Sequence, residues 1–225
     1  AVNAEEAKMN ALQTALSATT ISGYVDTSVE WNDNDYVPGV IPFRTASKQD
    51  GFNLNVVKLS LEKAMDESEW ASGYKVDLLF GPDAVGYNSA GGGGDLAIKQ
   101  AYVALRTPIG NGIDWKVGVY DSILGYETFE AGNNPNFTRS WGYAIEPTQL
   151  TGALATYRIS DIIAIAGGVA NKETAGINGG DDEANGDSNW DKSWLGSIAI
   201  TAPDDAGFLS GYTLYAGALL GSSGN

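Results

Sequence analysis

The segments of this chain that alternate apolar and polar residues are joined by short and long connections in strict turn, and few folds have a use for that rhythm. From Thr20 onward the alternation has period two, the signature of extended strands. Nine such segments can be drawn: 20–32, 52–65, 69–81, 96–108, 112–123, 149–159, 161–171, 193–202 and 206–220. Tight turn signals follow the second, fourth, sixth and eighth, as "MDESE", "PIGNG", "SD" and "APDDAG". The links after the first, third, fifth and seventh are much longer. A β-sandwich has no reason to alternate in this way. An antiparallel barrel in a membrane does, because tight turns gather at one rim and long loops at the other.

Most segments run to roughly ten residues, longer than the usual soluble strand and about what crosses a bilayer at a tilt. Within "SGYKVDLLFG", Tyr74, Val76, Leu78 and Phe80 share one face, and Lys75 and Asp77 take the other. Ile113, Trp115, Val117 and Val119 likewise oppose Asp114, Lys116, Gly118 and Tyr120. Ala101, Val103 and Leu105 oppose Gln100, Tyr102 and Arg106. Val57, Leu59 and Leu61 oppose Lys58, Ser60 and Glu62, and the doubled Val56–Val57 suggests a bulge or the end of a lipid band. In a soluble sheet the apolar face would be the core. In a barrel it meets lipid, and the charges line a wet lumen.

Composition narrows the chemistry. The chain has 225 residues and mean hydropathy of -0.15, which excludes a bundle of membrane helices but not a barrel, where every second residue is apolar. It has no cysteine and no histidine, so thiolate chemistry, Zn–Cys sites and Ser-His-Asp triads are out. An enzyme is not expected, and no cofactor is implied. A net charge of -15 argues against nucleic acid as a partner. The start, "NAEEAKMNALQTAL", is a good helix former, with Ala4, Ala7, Leu12 and Leu16 near one face and Glu5 and Glu6 in the first turn. Residues 1–19 therefore read as a short helical segment, and 20–225 as barrel strands with long loops. No signal peptide is visible, which for an exported protein places Ala1 close to the mature N-terminus.

The run "GYKVDLLFGPDA", followed by "LAIKQAYVALRTPIGNGIDWKVGVYDSILGYETFEAGNNPNFTRSWGYAIEPTQLTGALATY", resembles the putative β-barrel porin-2 (OmpL-like) family of bacterial outer-membrane proteins. Its most specific part is 115–152: a lysine-bearing strand, Gly-Tyr-Glu, an Asn-rich loop, an aromatic piece, and Pro-x-x-x-x-Gly entering the next strand. The resemblance implies an all-β fold, an antiparallel transmembrane β-barrel acting as a passive pore for small hydrophilic solutes or ions. It also implies a bacterial outer membrane, with its lipid and lipopolysaccharide, as the setting. Such barrels usually close with an even strand count and a terminal aromatic residue, whereas this chain stops at "GALLGSSGN" after about nine strands. It is therefore read as the N-terminal part of a larger barrel, with an eight-stranded barrel as the lesser alternative. A homo-oligomer or a partner protein is left open.

Residues 121–147 form the longest link rich in both aromatics and charge. Folded into the lumen, its Glu127, Glu130 and Arg139 would face Lys99, Arg106, Lys116 and Arg158 and create a transverse field. Lys75, Asp77, Tyr120 and Tyr126 complete the expected pore lining. Tyr126, Phe129, Phe137, Trp141 and Tyr143 would either stack on sugar rings or pin the loop to the wall. Trp31, Trp70, Trp115, Trp141, Trp190 and Trp194 suit an interfacial girdle. From Asp181 an acidic loop half-fits a calcium site through Asp181, Glu183, Asn185 and Asp187. Lys192 stands where a bidentate Glu belongs, so a solvated loop is the better reading. Two other functions stay open: a surface β-sandwich that binds glycans, and a structural barrel that does not conduct.

Overall fold

The computed structural model describes residues 18–31, 50–86, 96–172, 177 and 192–221. The N-terminal helical segment up to residue 17, the acidic loop with Asp181, Glu183, Asn185 and Asp187, and Trp190 lie outside the described residues.

Period-two patterning and turn chemistry together produce an antiparallel meander. The strands are β1 (Thr20–Glu30), β2 (Gly51–Lys63), β3 (Ser72–Phe80), β4 (Leu96–Thr107), β5 (Ile113–Asp121), β6 (Gln149–Arg158), β7 (Ile163–Ala170), β8 (Ser193–Thr201) and β9 (Thr213–Leu220). They form one nine-stranded sheet in sequence order. Short connections at 64–71, 108–112, 159–162 and 202–212 fall at one end of the sheet, and the long ones at the other. β1 and β9 stand at the two ends of the order and do not pair with each other.

The faces are inside out relative to a soluble domain. Val103 is 61 % exposed and Val117 51 %, whereas Asp77 is 0 % and Lys99 2 % exposed. Tyr74 and Phe80 are exposed with them, as are Val25, Leu59, Leu105, Ile165, Ile198 and Leu214. A soluble fold would need these apolar side chains in its core, because their burial is its main source of stability. Here the charged face is the enclosed one.

Two bulges aim residues into that interior. Asp26 pairs with Val56 and Thr27 with Leu54, so Asn55 is the extra residue of β2. Its amide donates to Asp26 Oδ1 at 3.0 Å and accepts from Ser28 Oγ at 3.1 Å. Asp77 pairs with Gln100 and Leu78 with Ile98, which leaves Lys99 as the extra residue of β4. The bulge turns both Lys99 and Gln100 inward although they are adjacent in sequence. Farther along, Gly118 pairs with Gly152. Gly118 has φ +134°, and a Cβ there would stand 2.3 Å from the Ala101 carbonyl oxygen. Only glycine fits where the strands approach so closely.

The interior has two tones. On the β5–β9 side, Tyr120, Leu150, Leu154, Ala170 and Leu195 form an apolar cluster, joined by Tyr102, Ile123, Ala166 and Leu219. On the β1–β4 side a smaller apolar socket of Val56, Leu79, Ala84 and Ala97 is set among charged and amide side chains.

Candidate functional site

The long connection 122–148 folds back into the enclosed side of the sheet. Its early part reaches β9, where Leu124 would lie 2.9 Å from a Cβ on Gly217. Its next turn drives Phe129 into the Val56–Leu79–Ala84–Ala97 socket. A single loop that touches both β9 and β2–β4 requires the sheet to curl around it.

Internal hydrogen bonds hold the loop as a tongue. Asn134 donates to the Thr128 carbonyl and accepts from the Thr128 amide, each at 2.8 Å. Arg139 Nε donates to the Thr128 carbonyl at 3.0 Å, and its terminal nitrogens donate to the carbonyls of Phe129 and Phe137. Ser140 caps a short helix, α1 (Trp141–Ile145), and its amide and hydroxyl donate to the Glu127 carboxylate. Those bonds hold the Glu127 carboxyl below the ordinary carboxylate range.

At the tip, Glu130 Oε1 lies 2.6 Å from Lys58 Nζ and 3.5 Å from Lys99 Nζ. Lys58 also lies 3.0 Å from Asp77 Oδ2, and Lys99 lies 2.5 Å from Asp121 Oδ2. Asp77 accepts in addition from Ser60 Oγ and, at 2.9 Å, from Gln100 Nε2. The Gln100 side-chain oxygen Oε1 accepts from the Asp121 backbone amide at 3.2 Å, which closes a network over β2–β5 and the tongue. The register makes this network: Ser60 stands opposite Asp77, and Asp77 opposite Gln100.

Burial pushes the Glu130 carboxyl up, but Lys99 and Lys58 outweigh it and hold it below the ordinary range. A depressed carboxylate stabilises the docked loop above its unfolded value, and that stabilisation is lost as pH falls through the folded value. The tongue should therefore stay docked from neutrality down to about pH 5 and loosen below about pH 4. Proteolysis within 126–140 at pH 7 and pH 3 checks this. Glu130→Gln should be cut readily at both, and a loop equally protected at both pH values in the native chain would rule the mechanism out.

Between tongue and wall runs a cleft of ≈ 820 Å³, lined by Tyr24, Asp26, Lys58, Glu62, Lys75 and Glu130 among others. A second cavity of ≈ 490 Å³ opens at the short-turn end beside Arg106, Asp114 and Arg158.

Of the residues expected to line a pore, Asp77, Lys99 and Glu130 come together in one network. Lys75 is 3.1 Å from Glu62 on the same wall. Arg106 is at the far end, 3.0 Å from Asp114 and bonded to the Asn111 carbonyl, with Arg158 exposed nearby. Lys116 lies with its Nζ 5.0 Å from the Tyr102 ring centroid. Tyr120 is buried in the apolar cluster, and Tyr126 on the loop is 81 % exposed. Arg139 is spent on loop carbonyls and Glu127 on Ser140, so the field expected between the loop and four basic groups reduces to Glu130 against Lys99 and the unanticipated Lys58. Of the loop aromatics, Phe129 pins the loop to the wall, while Phe137 and Trp141 are exposed. Ser60 and Gln100, like Lys58, are on the polar face read from the alternation but outside the expected pore lining, and Asp121, Asn55 and Asp26 are in neither. The polar face of segments 52–65 and 96–108 carries Ser60 and Gln100, whereas Asp121 and Asn55 fall by alternation on the apolar side of theirs.

No curated protein and no solved structure matches the chain. The family described as "Putative beta-barrel porin-2, OmpL-like" matches residues 18–218, which covers β1 to β8, the inward tongue and most of β9. With an exposed apolar face, an enclosed charged one and this match, the chain belongs to that porin-like β-barrel family.

Proposed function

We propose that the chain forms an outer-membrane pore through which small hydrophilic solutes or ions diffuse passively. The observation that carries the reading is the inverted sheet: apolar side chains outside, and charged, amide and hydroxyl groups enclosed with a loop folded among them. Lipid satisfies the first, and water and solute satisfy the second. The tongue sets the constriction, because Phe129 and Glu130 fix it against one wall and leave the cleft beside Tyr24, Lys58 and Lys75 as the open path. No covalent step is part of the proposal. Residues 20–225 act as one barrel unit, and its partners are outer-membrane lipid, lipopolysaccharide and the permeating solute.

A bilayer does not tolerate open sheet edges, since unpaired backbone groups there cost several kcal/mol each. In the working pore β1 and β9 are therefore both paired, with each other or with further strands.

The test is single-channel recording in a planar bilayer. Stepwise ohmic openings are expected, and Phe129→Ser combined with Glu130→Gln should enlarge or destabilise them by freeing the tongue. A protein that inserts and shifts on a gel after heating but never conducts would make it a structural barrel. A protein monodisperse without detergent would return the apolar face to a core and favour the glycan-binding sandwich.

A further inference from the structure

Along the interior wall Lys58, Lys75 and Lys99 each lie within ion-pair distance of a carboxylate. Lys116 does not. Among the described residues its recorded contact is the face of Tyr102, with Nζ 5.0 Å from the ring centroid. A ring face attracts the charge but accepts none of the three ammonium N–H donors in the way a carboxylate would. The donors of Lys116 are therefore uncommitted, on a strand whose neighbouring lysines are all matched.

The surroundings favour a negatively charged guest. Glu62, Lys75, Tyr102, Gly118 and Gly152 follow one another across five strands in a single register row. Lys75 thus flanks Tyr102 from β3, while Lys116 lies over the same ring from β5. Gly118 and Gly152 add no side chain to that row, since backbone of the neighbouring strands stands where their Cβ atoms would be. Lys75, the like charge of that row, stands opposite Tyr102 and lies 3.1 Å from Glu62. Along the barrel axis, Lys75 lines the cleft on the tongue side, and Asp114 and Arg106 line the cavity at the short-turn end. Lys116, two residues from Asp114 on β5, stands between them.

We propose that Lys116, with the Tyr102 ring and Lys75 beside it, is a binding step for small oxyanions such as phosphate or sulfate in the interior of the barrel. The site supplies N–H donors that no described carboxylate takes up and a second cation across the Tyr102 ring. It deepens the pore reading by naming a solute class, and it runs against the cation preference that a net charge of -15 would suggest. The fixed charge of loops says little about a permeant ion's contacts at the narrowest part of its path.

The experiment uses the full chain folded in detergent and then in planar bilayers. Inorganic phosphate is titrated calorimetrically into the native protein, Lys116→Gln and Lys116→Arg, with heat-shift on a gel as the check of folding. Native protein and Lys116→Arg should bind phosphate, and Lys116→Gln should bind about ten- to a hundredfold more weakly, as befits loss of a charge-assisted hydrogen bond. In the bilayer, phosphate should reduce chloride conductance of the native pore, and Lys116→Gln should relieve that block. Equal binding and equal block in native protein and Lys116→Gln would overturn the proposal, as would no phosphate binding by the native protein. Binding without any conductance would keep the site and remove the pore.

Discussion

Asp77→Ala is expected to lower the stability of the folded chain by about 3 kcal/mol, the lower edge of what removing one partner of a buried ion pair costs. The carboxylate is fully enclosed, 3.0 Å from Lys58 Nζ, and accepts from Ser60 and Gln100. Alanine leaves a hydroxyl and an amide without their acceptor. It also removes one of the two anions that hold Lys58, although Glu130 remains at 2.6 Å. That surviving partner is why the loss should sit at the low end of the range. Asp77→Asn keeps the shape and some of the hydrogen bonding, so it should cost less. Glu62→Ala, which breaks the more open pair with Lys75, should cost under about 1 kcal/mol. Urea unfolding from lipid vesicles, followed by tryptophan emission, ranks the three. An Asp77→Ala effect no larger than that of Glu62→Ala would mean that water screens Asp77 as it screens the more open pair.

That ranking depends on a network only partly legible in the chain. The strands were readable because period two and turn residues are local properties, and the rhythm of short and long connections carried the architecture. Which face Asp77 and Lys75 occupy followed from the same alternation. Which groups they meet did not, because Ser60 opposite Asp77 and Asp77 opposite Gln100 depend on register, and a slip of one residue re-aims every pair. Lys99 illustrates the point. By simple alternation it and Arg106 belong to opposite faces, and only the bulge that makes Lys99 the extra residue of β4 turns it inward. The doubled Val56–Val57 hinted at irregularity, but the bulge falls one residue earlier, at Asn55, and Val56 turns into the Phe129 socket. The tongue was legible as a charged, aromatic loop. That Arg139 would bind its own loop carbonyls rather than face the wall was not, since nothing in residue type distinguishes a clamp from a pore-lining cation.

Val103→Arg is the substitution that separates membrane from water. Val103 lies in the interior of β4, pairs with Tyr74 on one side and Val117 on the other, and is 61 % exposed. In an aqueous fold, arginine at so open a position is nearly neutral, within about 0.5 kcal/mol, because no packing is lost and the charge stays hydrated. On the lipid face of a barrel, arginine near the bilayer midplane costs ~2–4 kcal/mol, since the guanidinium must drag water inward or reach for the headgroups. The contrast is sharpened by comparing one variant in two solvents. In lipid vesicles Val103→Arg should unfold at markedly lower denaturant than the native chain. In a short-chain detergent micelle, thin enough for the side chain to reach water, the difference should shrink. If Val103→Arg is indistinguishable from the native chain in vesicles, then Tyr74, Val103 and Val117 do not face lipid. The enclosed charges would then need an explanation other than a lumen.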